Sequence, residues 1–442
     1  MNAEFGKDGA TLPFNARRRV MRMRLYKILS SLFFRLTLTG KTLTIRFRYD
    51  YNLLRIRKNC PGRKIRVAFL VNELAKWKAQ SLYDLMDASD RYEPFIVMTI
   101  ADRDWSLSDD KMFEKYSSGK AYFEGRHMKV VDGYDFALKR VVPVPDFESD
   151  IVWYQQPWCY AEEQRPDVAS IWTLTCYIPY FVVNYGNRDM DYGQQFHRDL
   201  WRHFILNRDW ERVYGKTGHW WSYAGRLLGL GHTGLDYIVN RRDELRHSDY
   251  VVYAPHWSID CPGNENDENY STFLWTGRTM LEYAKAHRQV RWVFKPHPTL
   301  RKALHASGAW TDEEIGSYYK GWEDVGTACY TGDYQELFLH SKAMVTDCGS
   351  FLTEYFATGK PLIHLLSPAV KFSPHKLSSK MFDSFYKVSQ LEELPEVLDQ
   401  IVIEGKDPKC REREKVLREM DFGTRSAAQN ILDYLDSIFN IK

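Results

Sequence analysis

The sequence predicts an α/β protein of two Rossmann-like parallel-sheet domains facing a cleft, preceded by a basic amphipathic helix. Three observations carry that expectation. Short apolar runs alternate with amphipathic stretches along most of the chain, as in parallel sheets with crossover helices. Several of the runs end in loops rich in Gly, Pro, Lys, His or hydroxyl groups. The length of 442 residues exceeds one typical core and implies two or three domains. Hydrophobic content of 44% and charged content of 27% are globular values and exclude a disordered chain.

The basic helix comes first. Between Arg17 and Arg66 there are sixteen Lys and Arg against Asp50 alone, a charge of +15 in a chain of net +3, so the rest carries −12. Over residues 17–36, Met21, Leu25, Ile28, Leu29, Leu32 and Leu36 fall at helical spacing. Arg17, Arg18, Arg22, Arg24, Lys27 and Arg35 supply a cationic flank. No apolar run approaches the roughly 20 residues that span a bilayer. The pattern is read as an interfacial helix on an anionic membrane surface, with a helix packed on the first domain as the plain alternative. A nucleic-acid partner is not expected.

The first domain is expected to begin with the strand 64–71 and a helix over 78–88 that sets Leu82, Leu85 and Met86 on one face. Further strands are expected over 94–100, 150–154, 174–183 and 204–206. Residues 240–248 are charged and poor in apolar side chains, a plausible hinge. The second domain reads as strands over 250–254, 290–294, 343–345 and 362–366, and the tail after Gly405 as two helices. Seven scattered cysteines suggest reduced thiols and a cytosolic chain, and Cys348 reads as a small buried residue.

Two strand-end loops carry the chemistry. The strand at 343–345 runs into Thr346-Asp347-Cys348-Gly349-Ser350, which opens a helix ended by Gly359. A helix N-terminus presents free N–H groups and a partial positive charge, which suits a phosphate. Asp347 is expected to cap that helix. The bland alternative is an ordinary βαβ crossover. The strand at 290–294 ends in Lys295-Pro296-His297-Pro298, whose prolines stop the strand and stiffen the loop. Adjacent to one another at the carboxyl edge of a parallel sheet, the two loops would form a diphosphate site.

Lys295-Pro-His-Pro298, then Thr346-Asp-Cys-Gly-Ser350, then Gly359-Lys-Pro361 resembles the CDP-glycerol glycerophosphotransferase family, enzymes of teichoic acid and capsule polymer synthesis with a GT-B fold. Tyr253-Ala-Pro-His-Trp257 resembles the family's Tyr-Ala-Pro loop. The likeness covers about residues 230 to 370. It implies a metal-independent transferase that moves glycerol phosphate or another polyol phosphate from a CDP-linked donor to a surface polysaccharide or lipid-linked acceptor. No cofactor is implied beyond the donor substrate. The implied division is a basic membrane-associating segment over 1–60, an acceptor domain over 61–240 and a nucleotide-donor domain over 241–442. The implied place is cytoplasmic, peripheral on the inner face of the cell membrane.

Loss of a nucleotide phosphate as leaving group needs its charge neutralised. Lys295, Gly349 and Ser350 are expected to hold the donor phosphate, and Glu354 to bind the nucleotide. The donor half holds no Asp-x-Asp, and Asp189-Met-Asp191 in the other half reads as surface, so no metal is expected. The attacking hydroxyl needs a base. The chain departs from the family here: Val183-Asn-Tyr-Gly186 stands where a His-Gly pair is expected. His256 and His297 are therefore the expected catalytic pair, one as base and the other as phosphate ligand or acid, with His197 and His203 as substitutes for the base. Asn72, Trp77, Lys78 and residues 154–158 are weaker candidates for acceptor contacts. Two other readings stay open: a GT-B glycosyltransferase using a nucleotide sugar, and a non-catalytic capsule-assembly binding protein.

Overall fold

The computed structural model describes residues 40–182, 194–208, 226–242, 250–259, 269–328, 334–368, 376–420 and 425–440. The predicted helix at 17–36, the departure at 183–186, Asp189 and Asp191, and most of the predicted hinge lie outside these residues.

The first sheet is built from β1 (Ile65–Val71), β2 (Tyr92–Met98), β3 (Val130–Asp132), β6 (Ile151–Tyr154), β7 (Leu174–Tyr177), β8 (Arg202–Ile205) and β9 (Leu227–Gly229). A short antiparallel pair, β4 (Tyr134–Asp135) and β5 (Arg140–Val141), stands apart. The order is β3-β2-β1-β6-β7-β8-β9, parallel throughout. Apolar side chains alternate between its faces: Val67, Phe69 and Val71 pack on one side, Ala68 and Leu70 on the other. Strand β7 stops well short of the predicted 183, because Pro179 cannot continue a ladder. The expected first helix is Gln80–Asp87, with Leu82, Tyr83 and Met86 buried.

The second sheet contains β10 (Tyr250–Ala254), β11 (Arg291–Phe294), β12 (Thr327–Ala328), β13 (Ser341–Thr346), β14 (Leu362–Leu365) and β15 (Tyr386–Val388). Its order is β12-β11-β10-β13-β14-β15, again all parallel. Both sheets are thus doubly wound, with the strand order reversing beside β1 in one and β10 in the other.

Two helices join the first domain from outside its sequence range. Residues 40–59 form a helix that buries Ile45, Tyr49 and Ile56 in the first core. The last helix, Ala427–Phe439, returns across the molecule and adds Ile431, Leu435 and Phe439 to that same core. Its start is held by Asp236, whose carboxylate accepts the backbone N–H groups of Ala427 at 2.7 Å and Ala428 at 2.9 Å. Among the described residues no helix is long and apolar enough to cross a membrane.

Candidate functional site

In an open parallel sheet the ligand crevice lies beyond the carboxyl ends of the strands where the order reverses. In the second sheet that point falls between β10 and β13. The loop after β10 carries His256, the turn after β13 carries Asp347 to Ser350, and the neighbouring loop after β11 carries Lys295 and His297. Backbone contacts lock the three together. The His297 N–H donates to the Pro255 carbonyl at 3.0 Å, and the His256 N–H donates to the Asp347 carboxylate at 2.6 Å. The imidazoles of His256 and His297 lie 5.4 Å apart, centre to centre. The two loops that sequence reasoning proposed as one site are neighbours.

Both histidines are set by the same local device. The Nδ1 atom of His256 accepts the backbone N–H of Ser258 at 3.2 Å and lies 2.7 Å from its hydroxyl. The Nδ1 atom of His297 accepts the backbone N–H of Thr299 at 3.2 Å and lies 2.8 Å from its hydroxyl. A backbone N–H can only donate, so Nδ1 is the lone-pair nitrogen in each ring and the neutral imidazole carries its hydrogen on Nε2. Burial, then the neighbouring His297, lowers His256 to about 3, and burial, then Lys295, lowers His297 to about 4. Near neutral pH the crevice therefore offers two uncharged N–H donors. Such groups suit phosphate oxygens. Neither presents a free lone pair to take a proton, so the base expected of one of them is not in evidence in this arrangement.

Asp347 does not cap the helix that follows it. The helix Gly349–Phe356 has Cys348 at its N-cap position and no side-chain cap. The Asp347 carboxylate instead accepts from the His256 N–H, the Thr272 N–H at 2.6 Å and the Thr272 hydroxyl at 2.9 Å. It joins the β10 loop, the β13 turn and the entry of helix Phe273–Ala286. Burial pushes its carboxyl up to about 6 against the pull of these bonds. Hydrogen bonds to a charged group contribute about 1.5–3 kcal/mol each, enough to hold a buried carboxylate in place.

The helix Gly349–Phe356 starts in the crevice with Gly349 buried and Ser350 exposed. Gly359 ends that crossover at φ +76°, a left-handed conformation that a side chain would strain. Lys295 is 7% exposed and follows β11 directly. Burial pushes the Cys348 thiol up to about 11, consistent with a packing residue. Trp257 and Tyr270 complete the lining around His256, at ring distances of 5.7 Å each. Tyr270 gave no sequence signal, because fifteen residues of sequence separate it from β10.

Glu354 is 3% exposed and points toward the first domain. Its Oε1 pairs with Lys78 at 3.5 Å, and the Lys78 ammonium also lies over the Tyr334 ring. Its Oε2 is buried without a hydrogen-bond partner among the described residues. The expected nucleotide contact is thus occupied in part by a residue from the opposite domain.

His197 and His203 are no substitutes for the base. Each is 1% exposed, and the two rings stack inside the first domain against Tyr177. Burial drives His197 to about 3 and His203 well below its ordinary value.

The first sheet has its own reversal, between β1 and β6. There Glu73 pairs with Lys76 and Arg103, and Lys76 also donates to Gln156. Gln156 donates to Asn72 at 2.6 Å. The rings of Tyr180 and Trp158 stand 4.7 and 5.6 Å from the Lys76 ammonium. Asn72 and Trp158 were legible as strand-end residues; Glu73, Lys76 and Arg103 were not, since lone charges in a loop look like solvated surface. Among the described residues no group of three or more His, Cys, Asp or Glu side chains could hold a metal ion.

No family model matches the chain, and no curated protein matches it. Solved structures do. The wall teichoic acid polymerase TagF superposes with a TM-score of 0.54 at 12% identity, over 92% of this chain and 98% of that one. The fold is GT-B. The UDP-GlcNAc 2-epimerase from Neisseria meningitidis bound to UDP-GlcNAc gives 0.54 at 13% identity, over 85% of this chain and 100% of that one. The S. aureus MnaA–UDP structure gives 0.52 at 11% identity, over 86% and 98%. At these identities the shared property is the GT-B architecture, as the sequence had predicted.

Proposed function

We propose that this GT-B protein is a transferase that moves glycerol phosphate or a related polyol phosphate from a CDP-linked donor to a surface polysaccharide or lipid-linked acceptor. The observation that carries the reading is the convergence of His256 and His297, with rings 5.4 Å apart, at the reversal point of the second sheet. Two neutral Nε2–H donors, the Lys295 ammonium and the N-terminus of helix Gly349–Phe356 make a setting for a diphosphate. A ribose hydroxyl donating to the buried Glu354 Oε2 would satisfy an atom that otherwise costs about 1–3 kcal/mol. In this reading the acceptor enters from the first domain, past Asn72, Lys76 and Trp158. The protein acts on the inner face of the cell membrane, where lipid-linked acceptors sit.

A nucleotide sugar as donor is the second reading, favoured by the likeness to structures holding UDP and UDP-GlcNAc. A donor panel with membranes as acceptor separates the two. CMP released from CDP-glycerol or CDP-ribitol supports the phosphotransferase. UDP released from a UDP-sugar replaces it with a glycosyltransferase. No release from any donor shifts the protein to a binding role.

A further inference from the structure

Among the described residues, six of the twelve large apolar side chains left exposed lie on helix 40–59 or on the turn that it holds at Ile171 and Trp172. Leu43, Phe47, Tyr51 and Leu54 project from helix 40–59, with Phe47 73% and Tyr51 67% exposed. Their spacing of four, four and three residues forms one stripe along the helix. The opposite side of the same helix buries Ile45, Tyr49, Asn52 and Ile56 against the first domain. The helix is therefore apolar on two faces, and among the described residues only one has a partner.

A second element next to the helix carries two more exposed apolar side chains. Ile171 and Trp172 are also exposed. The Asn52 side chain donates to the carbonyls of Ser170 at 3.0 Å and Thr173 at 3.3 Å, and Arg55 donates to the Trp172 carbonyl at 2.5 Å. These bonds fix the two apolar residues beside the helix, so the patch is held by the fold. Exposed apolar side chains gathered on two neighbouring elements mark an interaction site.

Its rim is cationic. Helical geometry places Arg46 and Arg57 along one flank of the stripe and Arg48 and Arg55 along the other. Lys58 lies at its end, and Asp50 is the one acid in 40–59. An aromatic and leucine stripe between rows of arginine matches the headgroup region of a bilayer, where apolar rings enter the interface and cations meet lipid phosphates. A protein partner would need acidic residues on two parallel rows, whereas an anionic leaflet supplies that charge everywhere.

We propose that the face formed by Leu43, Phe47, Tyr51, Leu54, Ile171 and Trp172 seats directly on an anionic lipid bilayer. This docks the first domain in a fixed orientation rather than tethering it through the preceding segment alone. The proposal stands apart from the transferase reading, because vesicle binding reports it without turnover.

The test uses the full chain and sedimentation with vesicles of phosphatidylglycerol and phosphatidylcholine, or of phosphatidylcholine alone. The protein is expected to sediment with the anionic vesicles and to be released by salt. Phe47→Glu combined with Leu54→Glu is expected to lower that binding about tenfold or more. Its thermal midpoint should not change, because both side chains are exposed. Leu274→Glu combined with Ile403→Glu, at exposed apolar sites elsewhere, should bind as the parent does. Parent protein that fails to sediment, or a Phe47/Leu54 variant that binds equally well, overturns the proposal. A parent dimer that the variant dissociates, with vesicle binding unchanged, assigns the face to a second copy instead. Amide protection over 43–54 that is lost on deleting residues 1–39, again with binding unchanged, assigns it to the chain's own N-terminal segment.

Discussion

The Asp347 carboxylate accepts the backbone N–H of His256 at 2.6 Å, across 91 residues of sequence. This one bond joins the loop of one strand to the turn of the next and fixes where the His256 ring begins. The same carboxylate takes two further donors from Thr272. Asp347→Asn keeps the size but turns one acceptor into a donor facing a donor. The variant is expected to lose about 1–3 kcal/mol of stability, read from urea unfolding. It should also bind nucleotide more weakly, because the β10 loop is no longer held. An unchanged unfolding midpoint would remove Asp347 as the tether.

The Nε2–H of each imidazole defines a second expectation. An alanine at 256 or 297 removes a donor from the crevice and should lower turnover about 10²–10³-fold. Glutamine carries an amide N–H near the same position. His297→Gln is therefore expected to recover most of what His297→Ala loses, and His256→Gln likewise. A base cannot be replaced in this way, since an amide does not take a proton at neutral pH. Equal losses in Gln and Ala variants, with a pH–rate profile that loses a limb, would assign proton transfer to that histidine.

Acid stability follows from the buried imidazoles. His197, His232, His256, His297 and His364 lie at about 3, 4, 3, 4 and 3, all below the ordinary 6.5, chiefly through burial. Between those values and 6.5 the unfolded chain binds more protons than the folded one. Their contribution is complete above 6.5 and is lost progressively as pH falls through 4 and toward 3. Asp199 and Asp347, both raised to about 6 by burial, act in the opposite direction between 3.8 and 6. His203, also held well below its ordinary value by burial, adds to the first set and Asp236, raised by burial, to the second; six groups outweigh three, so the thermal midpoint is expected to fall from pH 7 to pH 4.5. A midpoint that is flat or rises on acidification would contradict the burial of these rings as neutral species.

Lys78 and Glu354 link the domains at 3.5 Å, with both side chains nearly buried. Removing one partner of a buried pair leaves the other uncompensated and costs about 3–5 kcal/mol. Lys78→Met should therefore destabilise the protein more than the double change Lys78→Met/Glu354→Gln. Calorimetric unfolding of the two variants measures the difference. If a ribose uses Glu354 Oε2, Glu354→Gln should also weaken nucleotide binding about tenfold at unchanged Lys78 geometry. Full affinity in that variant would confine Glu354 to the domain contact.

The second domain was largely legible in sequence because its strands are apolar runs with abrupt polar ends. Phe294 gives way to Lys295-Pro296, and Val345 to Thr346-Asp347, so each strand edge carries its loop chemistry beside it. What could not be read were relations across long separations. Nothing near Asp347 indicates that its donors are His256 and Thr272. Nothing near Glu354 points to Lys78. The strands β3, β9, β12 and β15, two or three residues each, are too short to show a period. The last helix resembles any amphipathic tail, and its docking on the first core depends on Asp236 meeting Ala427 in space. His197 and His203 looked available because a histidine in sequence does not show its burial.

The most direct measurement is calorimetric titration of CDP onto the full chain and onto the His256→Ala/His297→Ala variant. If the crevice between β10 and β13 holds a nucleoside diphosphate through these rings, the parent binds one CDP. The variant then binds about a hundredfold more weakly while still unfolding cooperatively. Equal affinity in the two proteins would contradict the site, whatever donor the panel identifies.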